Sequence, residues 1–243
     1  MKKNFLGKTV QLYLTSTCGM KCLHCRSRLK QMPDMTVEVF SEIMESVGDY
    51  GAQRISLFAN DPLLHPRIFK IIQIMNNSSL GSEILTVGGS PHDASVNNRL
   101  LSAMDFIDRE KGAFVFSVDC TEKTARAILS RANGDTSYAF KALTFWKLAP
   151  LLQKKGVSAR INVVVSRFNA GEVPAIIRRA VEMGFAASFC FVQTKQKEFD
   201  ELALKGFTSA SFNSFRQYLE SSEILAQNEM RVIIKGVRQI IKE

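Results

Sequence analysis

The chain has 243 residues, 46 % hydrophobic and 23 % charged, which excludes a disordered tail, a collagen-like fibre and a disulfide-dense miniature scaffold. A chain this long buries a sizeable core without staples, and one domain over residues 1–243 is its simplest organisation. Of the formal net charge of +9, residues 1–35 carry +6, through Lys2, Lys3, Lys8, Lys21, Arg26, Arg28 and Lys30 against Asp34.

The opening MKKNFLGKTVQLYL begins like a signal peptide, but Lys8 and Gln11 interrupt its apolar region and no small-residue cleavage site follows. No apolar run approaches the ~20 residues of a membrane-spanning helix, so a cytoplasmic protein is expected. Strands are expected at Val10–Leu14, Arg54–Phe58, Glu83–Val87, Ala113–Asp119, Ala159–Val165 and Ala187–Val192, each a short β-branched run bounded by Gly, Asn, Asp or Ser. Helical spacing runs from Thr36 to Ser46, with Thr36 as N-cap and no capping box. It recurs after Pro66, over Tyr138–Leu152 and over Val173–Met183, with Gly184 as a stop. Two further helices are expected after about residue 208. Six strands alternating with helices imply a parallel α/β sheet with right-handed crossovers. Six units are too few for the eight of a closed barrel, so the expected fold is a partial (β/α)6 TIM-like barrel.

Five cysteines, with three inside eight residues, suit ligation better than a disulfide framework. Cys18, Cys22 and Cys25 follow the first strand directly, at the carboxyl edge where α/β proteins place their sites. Three thiolates on one loop can hold three irons of a [4Fe–4S] cluster and leave the fourth iron open, the plainer alternative being incidental, unliganded cysteines. Structural zinc is the competing ligand, but adjacent His24 and Cys25 serve one tetrahedral ion awkwardly and no second ligand pair follows.

The C-x3-C-x2-C loop after a first strand, with His24 in the usual aromatic place before the last cysteine, resembles the radical S-adenosylmethionine (SAM) superfamily. The resemblance implies a [4Fe–4S] cluster on Cys18, Cys22 and Cys25, with SAM chelating the open iron. It also implies one-electron cleavage of SAM to a 5′-deoxyadenosyl radical that takes hydrogen from a substrate. Residues 55–66 are similar to the family's second-strand segment, where Gly-Gly-Glu-Pro is usual and Ala59-Asn60-Asp61-Pro62 stands here. Asp61 would then accept a charge-assisted hydrogen bond from the SAM ammonium. Thr86 and Ser117–Asp119 match the third- and fourth-strand ends, with Cys120 where glycine is usual, and Asn162 and Ser166 match the fifth. With Asn60, these residues are the expected lining of the SAM site.

Cys120, at that edge, is the candidate donor of a hydrogen atom to a substrate radical, and packing is its simpler role, as for Cys190. His65 is expected to pack or cap the next helix, and Tyr13, Phe58, Phe114, Phe116 and Trp146 to lie in the core. His92 reads as a turn residue, and Arg131 suits a carboxylate or phosphate. The basic amphipathic stretch Ile233–Lys242 reads as a helix docked on the core. The resemblance implies an acidic electron donor such as flavodoxin or ferredoxin, which Lys21, Arg26 and Arg28 would dock, and a peptide or small-molecule substrate. The charge sits beside an anionic cluster, so it argues weakly for nucleic acid. A degenerate iron–sulfur relative used in electron transfer or assembly and an RNA-modifying radical enzyme are the alternatives.

Overall fold

Every run expected to form a strand does so, and each pairs in parallel with the next. A computed structural model describes residues 9–20, 22, 25, 32–89, 94–130, 136–166 and 168–191. His24, His92, Arg131, Lys21, Arg26, Arg28 and the expected helices beyond residue 208 lie outside the described residues.

The strands are β1 (Thr9–Tyr13), β2 (Arg54–Phe58), β3 (Gly81–Thr86), β4 (Gly112–Ser117), β5 (Ala159–Val165) and β6 (Ala186–Phe191). Their spatial order is their chain order, β1-β2-β3-β4-β5-β6. A doubly wound sheet reverses its order at a switch point. Strict succession is the order of a barrel wall, which confirms the expected partial (β/α)6 barrel over its described span.

The helices between them are α1 (Val37–Asp49), α2 (Ile68–Asn77), α3 (Ala94–Phe106), α4 (Glu122–Ser130), α5 (Ser137–Lys154) and α6 (Val173–Glu182). Thr36 caps α1 as expected, its hydroxyl accepting from the Val39 N–H at 3.3 Å. Pro66 is not in the first turn of α2, which starts two residues later. A 3-10 turn at Pro62–Leu64 precedes it, and the Arg67 N–H donates to His65 Nδ1 at 3.1 Å, which holds the chain in a bend there. His65 Nε2 meets the Met35 carbonyl at 2.9 Å and ties this bend to the start of α1. Arg99 of α3 donates to the carbonyls of Leu63, Leu64 and His65, closing the turn from outside.

Alternation along the strands separates two faces. Leu12, Ile55, Leu57, Ile84, Phe114, Phe116, Ile161, Val163 and Phe189 point into one cluster packed against the helices. Trp146 joins that core, with its ring beside Phe145 at 4.9 Å and under the Arg179 guanidinium at 5.1 Å. The opposite, concave face carries Tyr13, Phe58, Glu83, Ser117, Arg160, Asn162, Ser188 and Cys190. Phe58 is 44 % exposed there, and Tyr13 is half-buried, so neither belongs to the core expected for it. Cys190 is exposed on the same face, not packed as a small hydrophobe. Period-two spacing shows that faces alternate, not which face meets the helices. Across the concave face Glu83 pairs with Arg54 of β2 at 2.8 Å and Arg160 of β5 at 3.0 Å, bridging strands on either side.

Candidate functional site: a three-thiol loop at the carboxyl edge of the barrel

The site is built on the elbow after β2. Ala59 and Asn60 adopt left-handed backbone, with φ of 68° and 49°. Glycine favours that conformation, and this chain reaches it without glycine. Asn60 anchors the bend: its Nδ2 donates to the Tyr13 hydroxyl at 2.6 Å and to the Thr15 carbonyl at 2.8 Å. The Asp61 N–H then meets the Thr17 carbonyl at 3.3 Å, so the elbow is stitched directly to the chain leading into the cysteine loop.

The elbow delivers Asp61 as a fully buried carboxylate. Its Oδ1 accepts from the Leu63 N–H at 3.2 Å and its Oδ2 from the Thr86 hydroxyl at 3.3 Å. Burial pushes its carboxyl up to about 7, against the opposing pull of the Leu63 and Val87 N–H groups and of Thr86. Asp61 and Thr86, expected to share a site, are thus in contact.

Cys22 is buried and Cys18 and Cys25 half-buried, on an apolar bed with Met20, Val87 and Phe140. The Cys25 N–H donates to the Cys22 carbonyl at 3.0 Å, which folds the loop back on itself. Burial pushes the Cys18 thiol up to about 12; the Met20 backbone opposes this, and the neighbouring charges of Asp61, Cys22 and Cys25 reinforce it. Such a thiol is a poor free nucleophile but surrenders its proton to a soft metal. Among the described residues no three His, Cys, Asp or Glu converge tightly enough to hold one metal ion. A [4Fe–4S] cluster makes no such demand, since each thiolate meets a different iron. The soft donors, the apolar bed and the nearby carboxylate therefore fit a cluster with SAM beside it.

On the other side of the loop is a polar knot. Lys141 of α5, 2 % exposed, donates to Asp119 Oδ2 at 2.5 Å and to Ser117 Oγ at 3.1 Å, and hydrogen-bonds to Cys22. Burial alone would lower its pKa, yet Asp119 and Cys22 more than reverse that and hold it charged. Asp119 Oδ1 accepts from the Val164 N–H at 2.8 Å. The expected SAM ligands Ser117 and Asp119 are thus both engaged by Lys141.

Asn162 and Ser166 lie further along the edge. Asn162 accepts from Ser188 Oγ at 3.0 Å and reaches Cys190 Sγ at 3.8 Å, so it faces the concave side. Ser166 is buried and held by Asn169 Oδ1, which accepts from the Ser166 N–H at 2.7 Å. Asn169 also donates to the carbonyls of Asp119 and Val164, both at 2.9 Å, joining the ends of β4 and β5. Cys120 is fully buried in the main hydrophobic cluster, and burial pushes its thiol up to about 12, helped by Glu172 and Asp119. That placement favours packing over hydrogen donation. Lys141 had a legible signal: it stands four residues before Phe145 on an apolar helix face, where a charge needs a buried partner. Asn169 had none.

The structure is thus a succession-ordered parallel sheet with three thiols and a buried carboxylate at its carboxyl edge. No protein-family model matches the chain. It is 24 % identical over 177 residues to an S-adenosylmethionine-dependent nucleotide dehydratase of Flammeovirga pacifica, covering 70 % of this chain and 57 % of the relative. It is 21 % identical over 201 residues to a GTP 3′,8-cyclase of Chlorobaculum tepidum, covering 77 % and 55 %. The chain spans about half the length of the curated relatives it matches. In structure it resembles Streptococcus suis SuiB bound to its precursor peptide SuiA, with TM-score 0.62 and 14 % identity over 87 % of this chain and 46 % of that one. It also resembles anSMEcpe with bound AdoMet and a peptide, with TM-score 0.61 and 19 % identity over 87 % and 60 %. These relatives and structural neighbours are all radical SAM enzymes, and the chain is similar to the former in sequence and to the latter in fold. No helix of the described residues is long and apolar enough to cross a membrane.

Proposed function

We propose that the chain forms the core of a radical SAM enzyme that acts on a peptide or a small molecule. The carrying observation is the buried Asp61 on its left-handed elbow, its N–H meeting the carbonyl of Thr17, the residue before Cys18, at 3.3 Å. Cys18, Cys22 and Cys25 would hold a [4Fe–4S] cluster, which supplies one electron to split bound SAM into methionine and a 5′-deoxyadenosyl radical. Asp61 would accept from the SAM ammonium, with Thr86 and the Leu63 N–H fixing the carboxylate's direction. Asn60 orients that carboxylate by locking the elbow to Tyr13 and Thr15. Ser117, Asp119, Asn162 and Ser166 complete the rim, and the concave face beyond them, with Asn162, Ser188 and Phe58, receives the substrate.

A peptide substrate is supported by the likeness to SuiB and anSMEcpe, both of which bind peptides. A small nucleotide-like substrate is supported by the relatives that act as a nucleotide dehydratase and a GTP cyclase. An acidic flavodoxin or ferredoxin is the proposed donor, on the strength of the N-terminal +6. Anaerobic reconstitution with iron and sulfide, followed by dithionite and SAM, tests the reading. Release of 5′-deoxyadenosine is expected. A chain that takes up no cluster overturns it, whereas a cluster without SAM cleavage assigns the chain to electron transfer or assembly. The replacement of both elbow glycines motivates that second reading.

A further inference from the structure

Lys141 is the only lysine or arginine buried among the described residues. Its ammonium has three protein partners: Asp119 at 2.5 Å, Ser117 at 3.1 Å and Cys22. Asp119 is held through its other oxygen by the Val164 N–H at 2.8 Å, so the ion pair is fixed in place while the ammonium also hydrogen-bonds to Cys22. Ala139, Ala142 and Phe145 on the same helix are ordinary core residues, so Lys141 brings a charge onto an otherwise apolar face.

We propose that Lys141 is a positioning residue for charge: its buried ammonium, anchored on Asp119 and Ser117 and bonded to Cys22, makes the bound cluster easier to reduce. The inference rests on the cluster assignment made above. A [4Fe–4S]2+ core on three thiolates carries a net charge near −1; one electron from the reductant, which is thereby oxidised, takes it to about −2. A fixed positive charge at a ligand favours the more negative state. Burial keeps that interaction from being screened by salt. Asp119 opposes the effect, but its negative charge is shared with the Val164 N–H as well as with the ammonium.

The test is an EPR-monitored redox titration of reconstituted protein, with dithionite as reductant and no SAM present. In K141M the equilibrium constant for reduction is expected to fall at least about tenfold, which for one electron is about 59 mV to the negative side. K141R keeps the charge and should stay near wild type. D119N removes the opposing charge and should move the midpoint the other way. Iron and sulfide contents and circular dichroism establish that each variant is folded and loaded. If K141M does not load, the sign of the D119N shift decides, and a negative or absent shift overturns the proposal. An unchanged midpoint in loaded K141M also overturns it, including the case where SAM binding weakens, which would assign Lys141 to the SAM carboxylate. Failure of wild type to take a cluster removes the functional reading itself, and this inference with it.

Discussion

The side-chain amide of Asn60 donates to the Tyr13 hydroxyl at 2.6 Å while its backbone holds a φ of 49°. One residue thus carries both the bend and its anchor. Asn60→Ala removes the amide, strands the Thr15 carbonyl and places Cβ strain in left-handed backbone without local compensation. A loss of about 2–3 kcal/mol is expected. Asn60→Gly loses the same hydrogen bonds but relieves the backbone, so its loss should be smaller by about 1 kcal/mol. Urea unfolding of both variants checks the ordering, and equal losses would refute the strain argument.

Asp61 makes stability depend on pH in the cluster-free chain. Its carboxyl ionises near 3.8 when unfolded and at about 7 when folded, because burial outweighs its three hydrogen bonds. Its contribution is intact below about pH 4 and is lost as pH rises to 7, since unfolding over that window releases a proton. Asp61→Asn carries no charge and should gain on wild type across the same window. Unfolding midpoints at pH 4 and pH 8 measure the gap, and a gap that does not widen contradicts the assignment.

With the cluster loaded, the same substitution has the opposite consequence for ligand binding. Asp61→Asn replaces a charge-assisted acceptor with a neutral one and should weaken SAM by about ten- to a hundredfold. Calorimetric titration of anaerobic protein reads this directly, and unchanged affinity would move the ammonium contact elsewhere.

Asn169 secures the edge from behind. Asn169→Ala leaves the Asp119 and Val164 carbonyls without their donor and the Ser166 N–H without its acceptor. The expected loss is about 2–4 kcal/mol. A loss below about 0.5 kcal/mol in chemical denaturation would mean that these groups find other partners.

The two faces of the sheet should answer differently to truncation. Phe116→Ala, in the helix-facing core, is expected to cost about 3–5 kcal/mol. Phe58→Ser, on the exposed concave side, should cost about 1 kcal/mol or less. Comparable losses would place Phe58 in the core after all.

Strands were legible where β-branched runs met clear stops: Arg54–Phe58 and Ala159–Val165 fall where the sequence puts them. Two helices were not. Only Ala125 is buried in α4, and the start of α3 is polar, its buried Leu100, Ala103 and Met104 coming only in the second half. That the cysteine loop and Asp61 lie together at the carboxyl edge was legible because spacing and neighbours single them out. The Lys141 knot joins residues 22, 119 and 141, and no local pattern links segments so far apart.

The elbow at Ala59–Asn60 also ties two strands to one fate. A bend held at positive φ without glycine stays bent only while the Asn60 amide keeps its grip on Tyr13 and Thr15. Whatever loosens the end of β1 therefore also turns the Asp61 carboxylate.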